Sequence, residues 1–111
     1  MNFRFLAALL LVAPTAVFAN DYPTTDRVEY VLECMKNHDG KHEYLYKCSC
    51  AIDAIAKQLK YAEYVEVSTA ARYQRLGGER GGAFRDPESV RNMAKKFTTI
   101  QASANKQCLV D

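Results

Sequence analysis

The sequence predicts an all-α fold: one small four-helix domain containing an antiparallel helical hairpin and stapled by two disulfides. Three observations predict it. Apolar residues recur at i, i+3, i+4 and i+7 in successive stretches, with no strand-like alternation to compete. The chain has four cysteines, an even number. Two of them stand as Cys48-Ser49-Cys50 inside a helical run, where side chains two apart diverge by about 200°. One sulfur can then reach Cys34 on the preceding segment and the other Cys108, far along the chain.

Residues 1–19 read as a secretory signal peptide. Arg4 supplies the positive n-region, Leu6 to Val12 the apolar core, and Val17-Phe18-Ala19 the small residues at −3 and −1, so cleavage is expected before Asn20. The apolar run is too short for a membrane anchor. No cysteine precedes the cleavage point, which argues against a lipid anchor. No later segment is apolar enough to span a bilayer, so no membrane association is expected after signal cleavage. The expected product is periplasmic or secreted, in an oxidising compartment. Removing nineteen of the 111 residues leaves 92, enough for a single domain over residues 20–111. A domain of that size buries only about 60–65% of its unfolded surface, and cross-links are the usual remedy.

The mature chain opens with a short extended lead, Asn20 to Thr25, containing Pro23. Asp26 with Glu29 resembles a capping box, with Asp in place of Ser or Thr. A first helix is expected from about Asp26 to Asn37, with Val28, Val31, Leu32 and Met35 as its apolar stripe. Asn37-His38-Asp39-Gly40 is dense in turn formers, and Gly40 can take the left-handed conformation that closes a helix. The second helix restarts near His42 and carries Leu45, Cys48, Ile52, Ile55, Ala56 and Leu59. The phase shifts at Lys60-Tyr61, predicting a kink or short break. A third helix, with Tyr61, Tyr64, Val65 and Ser68 on its new face, then runs to about Leu76. Gly77-Gly78 ends it, and the glycine-rich stretch through Arg85 reads as a flexible loop. The last helix has Asp86 as its expected N-cap, Pro87 at the first helical position and Glu88 favourably placed for the helix dipole. Val90, Met93, Ala94, Phe97, Ile100 and Ala104 form its buried stripe, and it ends near Cys108.

In an antiparallel hairpin, residues equidistant from the turn face each other. Cys34 and Cys48 are equidistant from residue 41, so the preferred pairing is Cys34–Cys48 with Cys50–Cys108. Pairing Cys34 with Cys50 and Cys48 with Cys108 is one step off that register and stays open.

Without Arg4 the chain carries 14 basic and 13 acidic side chains, a near-balance that gives no electrostatic case for nucleic acid. The balance conceals an asymmetry. Residues 20–71 have net charge −3 and residues 72–111 net charge +4. The plain reading is that the halves neutralise one another in the fold or solvate separate faces.

The chemistry-bearing candidates are few. Arg72, Arg75, Arg80 and Arg85 surround Gly77, Gly78, Gly81 and Gly82, whose backbone N–H groups could cradle a carboxylate or an acidic partner protein. The G-K-[ST] ending of a P-loop is absent, and a mobile linker is the plainer reading. Seven tyrosines without a tryptophan supply amphipathic surface for an interface or for packing. A metal reading would join Cys48 and Cys50, with Cys34, Met35, His38 or His42, in a soft site for Cu(I) or in a Zn(II) site. Diverging sulfurs, the lack of a repeated C-x-x-C and export favour disulfides instead. A thiol-exchange site would want a C-x-x-C at a helix N-terminus, and these cysteines sit mid-helix. His38 and His42 straddle Gly40 and read as turn residues. Two histidines in one turn offer no Ser-His-Asp or Cys-His-Asn arrangement.

The run Thr25-Asp26-Arg27-Val28-Glu29-Tyr30-Val31-Leu32-Glu33-Cys34-Met35, then Lys47-Cys48-Ser49-Cys50-Ala51-Ile52-Asp53 and Gly77-Gly78-Glu79-Arg80-Gly81, resembles small exported four-cysteine helical proteins of proteobacteria that occur alongside quinoprotein alcohol dehydrogenase systems. The resemblance implies a periplasmic accessory role and brings no catalytic residues. The expected function is therefore non-catalytic binding of a periplasmic protein by a monomer or weak dimer, with no cofactor. The alternative is a periplasmic copper or thiol-redox carrier using Cys48-Ser49-Cys50.

Overall fold

The computed structural model describes residues 21–111, and the expected signal peptide lies outside them. The described residues form five α-helices and no strand: α1 (Thr24–Lys36), α2 (Glu43–Gln58), α3 (Tyr61–Tyr73), α4 (Gly78–Arg85) and α5 (Glu88–Gln107). The fold is all-α, as the periodicity requires, with one helix more than the four expected. None of these helices is long and apolar enough to cross a membrane.

α1 and α2 form the antiparallel hairpin. The chain reverses through Gly40, whose φ of 64° is left-handed and whose N–H donates to the Met35 carbonyl at 2.9 Å. Cys34 and Cys48 close a disulfide across the hairpin, and Cys50 bonds Cys108 just past α5. The register symmetric about the turn is the one adopted. The two sulfurs of α2 leave it in different directions because helical geometry gives them no choice.

α2 is the centre of the packing. Cys48, Ala51, Ile52 and Ile55 on it are at most 1% exposed. Against them α3 sets Tyr64, Val67, Ala70 and Ala71, and α5 sets Ala94, Phe97 and Ala104. The alanines keep the helix axes close, and the branched and aromatic side chains fill the space between them. The break between α2 and α3 is two extended residues, with ψ of 129° at Leu59 and 152° at Lys60. Leu59 is buried there, and its carbonyl accepts the Tyr22 hydroxyl at 2.8 Å.

α1 is attached differently, because none of its residues is buried. Of its expected stripe, Val31 and Met35 pack on the core, whereas Val28 and Leu32 are 49% and 60% exposed. Polar ties and the Cys34–Cys48 bond hold it instead. Asp26 accepts the Tyr61 hydroxyl, Arg27 pairs with Asp53, and Tyr30 accepts the Gln101 amide. Glu33 pairs with Arg75 at 3.5 Å, and Glu63 on α3 pairs with Lys96 on α5 at 3.2 Å. The acidic and basic halves of the sequence thus meet in the fold at these two places.

Three local expectations are corrected. The Asp26–Glu29 capping box does not form: Pro23 is the N-cap of α1, no side chain caps it, and the Asp26 carboxylate is engaged by Tyr61. Asp86 likewise is not the N-cap of α5, a position taken by Pro87. Its carboxylate is bound by the Arg85 guanidinium at 2.7 Å, which holds it below the usual carboxylate range. The glycine-rich stretch expected to be a flexible loop is the helix α4. Its glycines disfavour a helix by about 1 kcal/mol each, but Arg85 donates to the Leu76 carbonyl at 2.7 Å and Gln74 donates to the Arg85 carbonyl at 2.7 Å. Two of the glycines also sit close to neighbouring side chains. A Cβ at residue 81 would lie 3.0 Å from the Leu76 Cβ, and one at residue 82 would lie 2.9 Å from Asp86 Oδ2.

Candidate functional site

Since α1 rests on α2 and leaves the α3–α5 pair partly uncovered, a cleft of about 360 Å³ opens between α1, α3, α5 and the segment after α5. Its apolar lining is aromatic. Tyr64 and Phe97 meet edge to face with ring centroids 6.0 Å apart, and Tyr30 lies alongside. Polar groups surround these rings. The Gln101 amide donates to the Tyr30 hydroxyl at 3.0 Å, Ser68 and Asn105 stand on the walls, and Arg72, Arg75 and Glu33 line the cleft with them. Burial pushes the Tyr64 phenol up to about 12, with Tyr30 adding to the rise and Arg72 opposing it, so the Arg72 guanidinium acts electrostatically on Tyr64. Burial raises Tyr30 too.

One wall is a clasp. After α5 the chain turns at Leu109, with φ of 59°, and lays the buried Val110 against the cleft. Tyr44 donates to the Asp111 carboxylate at 3.0 Å. His38 stacks on Tyr44 with centroids 4.1 Å apart, and its Nδ1 lies 2.9 Å from the Cys34 carbonyl and its Nε2 3.0 Å from the Asp111 main-chain oxygen. Both partners are acceptors, so only the doubly protonated imidazolium satisfies both. These hydrogen bonds raise the His38 pKa, with the charges of Asp111 and Asp39 contributing less.

A pH dependence follows. A raised folded-state pKa means that the stability His38 supplies is fully present below the ordinary value of about 6.5 and is lost as pH rises through the raised one. Between about pH 6 and pH 8 the melting temperature of the protein is expected to fall, and His38→Ala to flatten that slope. Identical slopes in the two proteins would remove the imidazolium from the clasp.

The arginines and glycines picked from the sequence separate in space. Arg72 and Arg75 line the cleft. Arg80 is exposed on α4, away from it. Arg85 is bound to Asp86 and to the Leu76 carbonyl and supports α4. Gly77 precedes α4 as its extended N-cap, Gly78 starts the helix with φ of 74°, and Gly81 and Gly82 lie against Leu76 and Asp86. Gly78, Gly81 and Gly82 thus lie in a helix, with open space beside Gly77 and Gly78.

Cys48 and Cys50 are in separate disulfides, so neither offers a thiolate while both bonds are closed. His38 is in the clasp, and the His42 ring lies edge-on to Tyr46 at 5.6 Å. The described residues contain no group of three or more His, Cys, Asp or Glu side chains placed to hold a metal ion.

The sequence reading did not single out Glu33, Gln101 or Asn105. Tyr30 belongs to the tyrosine surplus, Tyr64 to that surplus and to the expected face of the third helix, and Arg72 and Arg75 to the arginines chosen for their charge. Comparison with protein-family models, with curated proteins and with solved structures found no match for this chain.

Proposed function

We propose that this is an exported, non-catalytic accessory protein of the periplasm that acts by binding another protein. The observation that carries this reading is an open cleft on a disulfide-closed scaffold, where the exposed Arg72 and Arg75 stand beside polar side chains and largely buried aromatic rings. Two closed disulfides suit an oxidising compartment. A cleft with arginine and tyrosine on its walls has the composition of recognition surfaces. Quinoprotein alcohol dehydrogenase systems, to which the sequence resemblance points, supply the first candidates for the partner. The protein works as a monomer or weak dimer without a cofactor. The copper or thiol-redox alternative requires both disulfides to open first, and no observation favours it.

The test is charge reversal in the cleft. Arg72→Glu with Arg75→Glu alters two exposed side chains and should leave the melting temperature within a few degrees of the parent. On immobilised protein exposed to periplasmic extract, the parent is expected to retain a partner that the double variant releases. Equal retention by both would remove the cleft from the function.

A further inference from the structure

We infer that the cleft between α1, α3 and α5 is a carboxylate site, taking a carboxylate that is attached to an aromatic or branched apolar body and an N–H donor. The inference rests on the reading of the protein as a binding module and names what its cleft recognises.

The first ground is the arginine inventory. Arg27, Arg75 and Arg85 each pair with a carboxylate of the chain, Asp53, Glu33 and Asp86 respectively, and Arg91 donates to the Asp86 carbonyl at 3.0 Å. Arg72 and Arg80 have no such partner among the described residues. Of these two only Arg72 lines the cleft. A guanidinium over a partly enclosed, aromatic-walled space is matched by a planar carboxylate, which it binds through two parallel hydrogen bonds. Neighbouring charge does not spoil the match, since Glu33 is held by Arg75, and Asp111 by Tyr44 and His38.

The second ground is an unmet acceptor. Asn105 Oδ1, on a residue of the cleft wall, is buried and receives no hydrogen bond. Buried acceptors are nearly always satisfied, so an Asn105 side chain turned towards the cleft would take an N–H donor from outside the chain. The third ground is the rings of Tyr30, Tyr64 and Phe97, which form the aromatic part of the same lining. A volume of about 360 Å³ lies at the small end of ligand sites, which run from roughly 300 to 1,000 Å³. It suits one aromatic amino-acid-sized unit.

Carboxylate, N–H and ring together describe an N-acylated aromatic amino acid, which is also the last residue of a protein chain. The chemistry is shared by a free acid and by a partner's chain end. The protein's own Val110-Asp111 segment lies along the cleft, with Val110 buried and the Asp111 carboxylate hydrogen-bonded by Tyr44.

The test uses the disulfide-bonded protein and amide chemical shifts. N-acetyl-phenylalanine is the probe, N-acetyl-phenylalaninamide its neutral control and 3-phenylpropionate its control without the N–H. N-acetyl-phenylalanine should shift Tyr30, Arg72, Gln101 and Asn105 saturably. The neutral amide should bind about tenfold more weakly, and so should N-acetyl-phenylalanine to Arg72→Gln, whereas Arg80→Gln should match the parent. Weaker binding of 3-phenylpropionate supports the donor role of the N–H. A short peptide ending in Phe that outbinds the free acid points to a chain end as the source, and equal affinity points to the free acid. Equal binding of the neutral amide, unaltered binding to Arg72→Gln or shifts confined to other residues overturns the inference. If the probes fail while partner capture still depends on Arg72 and Arg75, the carboxylate site falls and the proposed function stands.

Discussion

Replacing Cys50 and Cys108 together by alanine is expected to remove about 4 kcal/mol of stability. The bond spans a sequence separation of 58, and the chain-entropy model gives a loop of that length about 4 kcal/mol. A domain of this size has roughly 5–15 kcal/mol in total, so the variant should lose a quarter of its stability or more and melt about 16–32 °C lower. This bridge reads the cross-link more cleanly than the other. Cys50 is exposed and Cys108 is 6% exposed, whereas Cys48 is fully buried and would leave the more enclosed cavity. Urea titration of parent and variant measures the loss. A difference below about 1 kcal/mol would mean that the helices hold together without the bond.

The second large effect belongs to α2. Ile55 is 0% exposed at the meeting point of the helices, and truncating it to alanine should cost about 2–5 kcal/mol through lost burial and an unfilled cavity. Leu32→Ala on α1 is the matched control. That side chain is 60% exposed, and its removal should change stability by no more than about 0.5 kcal/mol. Similar losses at the two positions would contradict the division between a core centred on α2 and an α1 held mainly by polar ties.

What could be read from the sequence was local or symmetric. Helical periodicity located α1, α2, α3 and α5, of which the last three bury apolar side chains fully. The disulfide register followed from two cysteines equidistant from a glycine turn. The remainder depended on contacts between distant residues. α4 contradicts its own glycines, since its stabilising bonds come from Gln74 and Arg85 reaching across the turn. Asp26 and Asp86 looked like caps until Tyr61 and Arg85 claimed them. The cleft combines Tyr30 with Gln101, 71 positions apart, and no pattern within one segment announces such a meeting. Arg72 and Arg75 were singled out for their charge. Their separation from Arg80 and Arg85 became visible only in three dimensions.

α1 brings no buried side chain to the structure, and it forms one side of the cleft. If Cys34–Cys48 is reduced, α1 retains the partial packing of Tyr30, Val31 and Met35 on the core, exposed ion pairs of about 0–1 kcal/mol each and hydrogen bonds of similar worth. The bond therefore acts as a latch on a hinged arm. A chain held in a reducing cytosol would lose this latch and the Cys50–Cys108 staple together, and with them both the margin of its fold and the shape of its binding surface, which makes oxidation a licence for recognition as well as a staple for the fold.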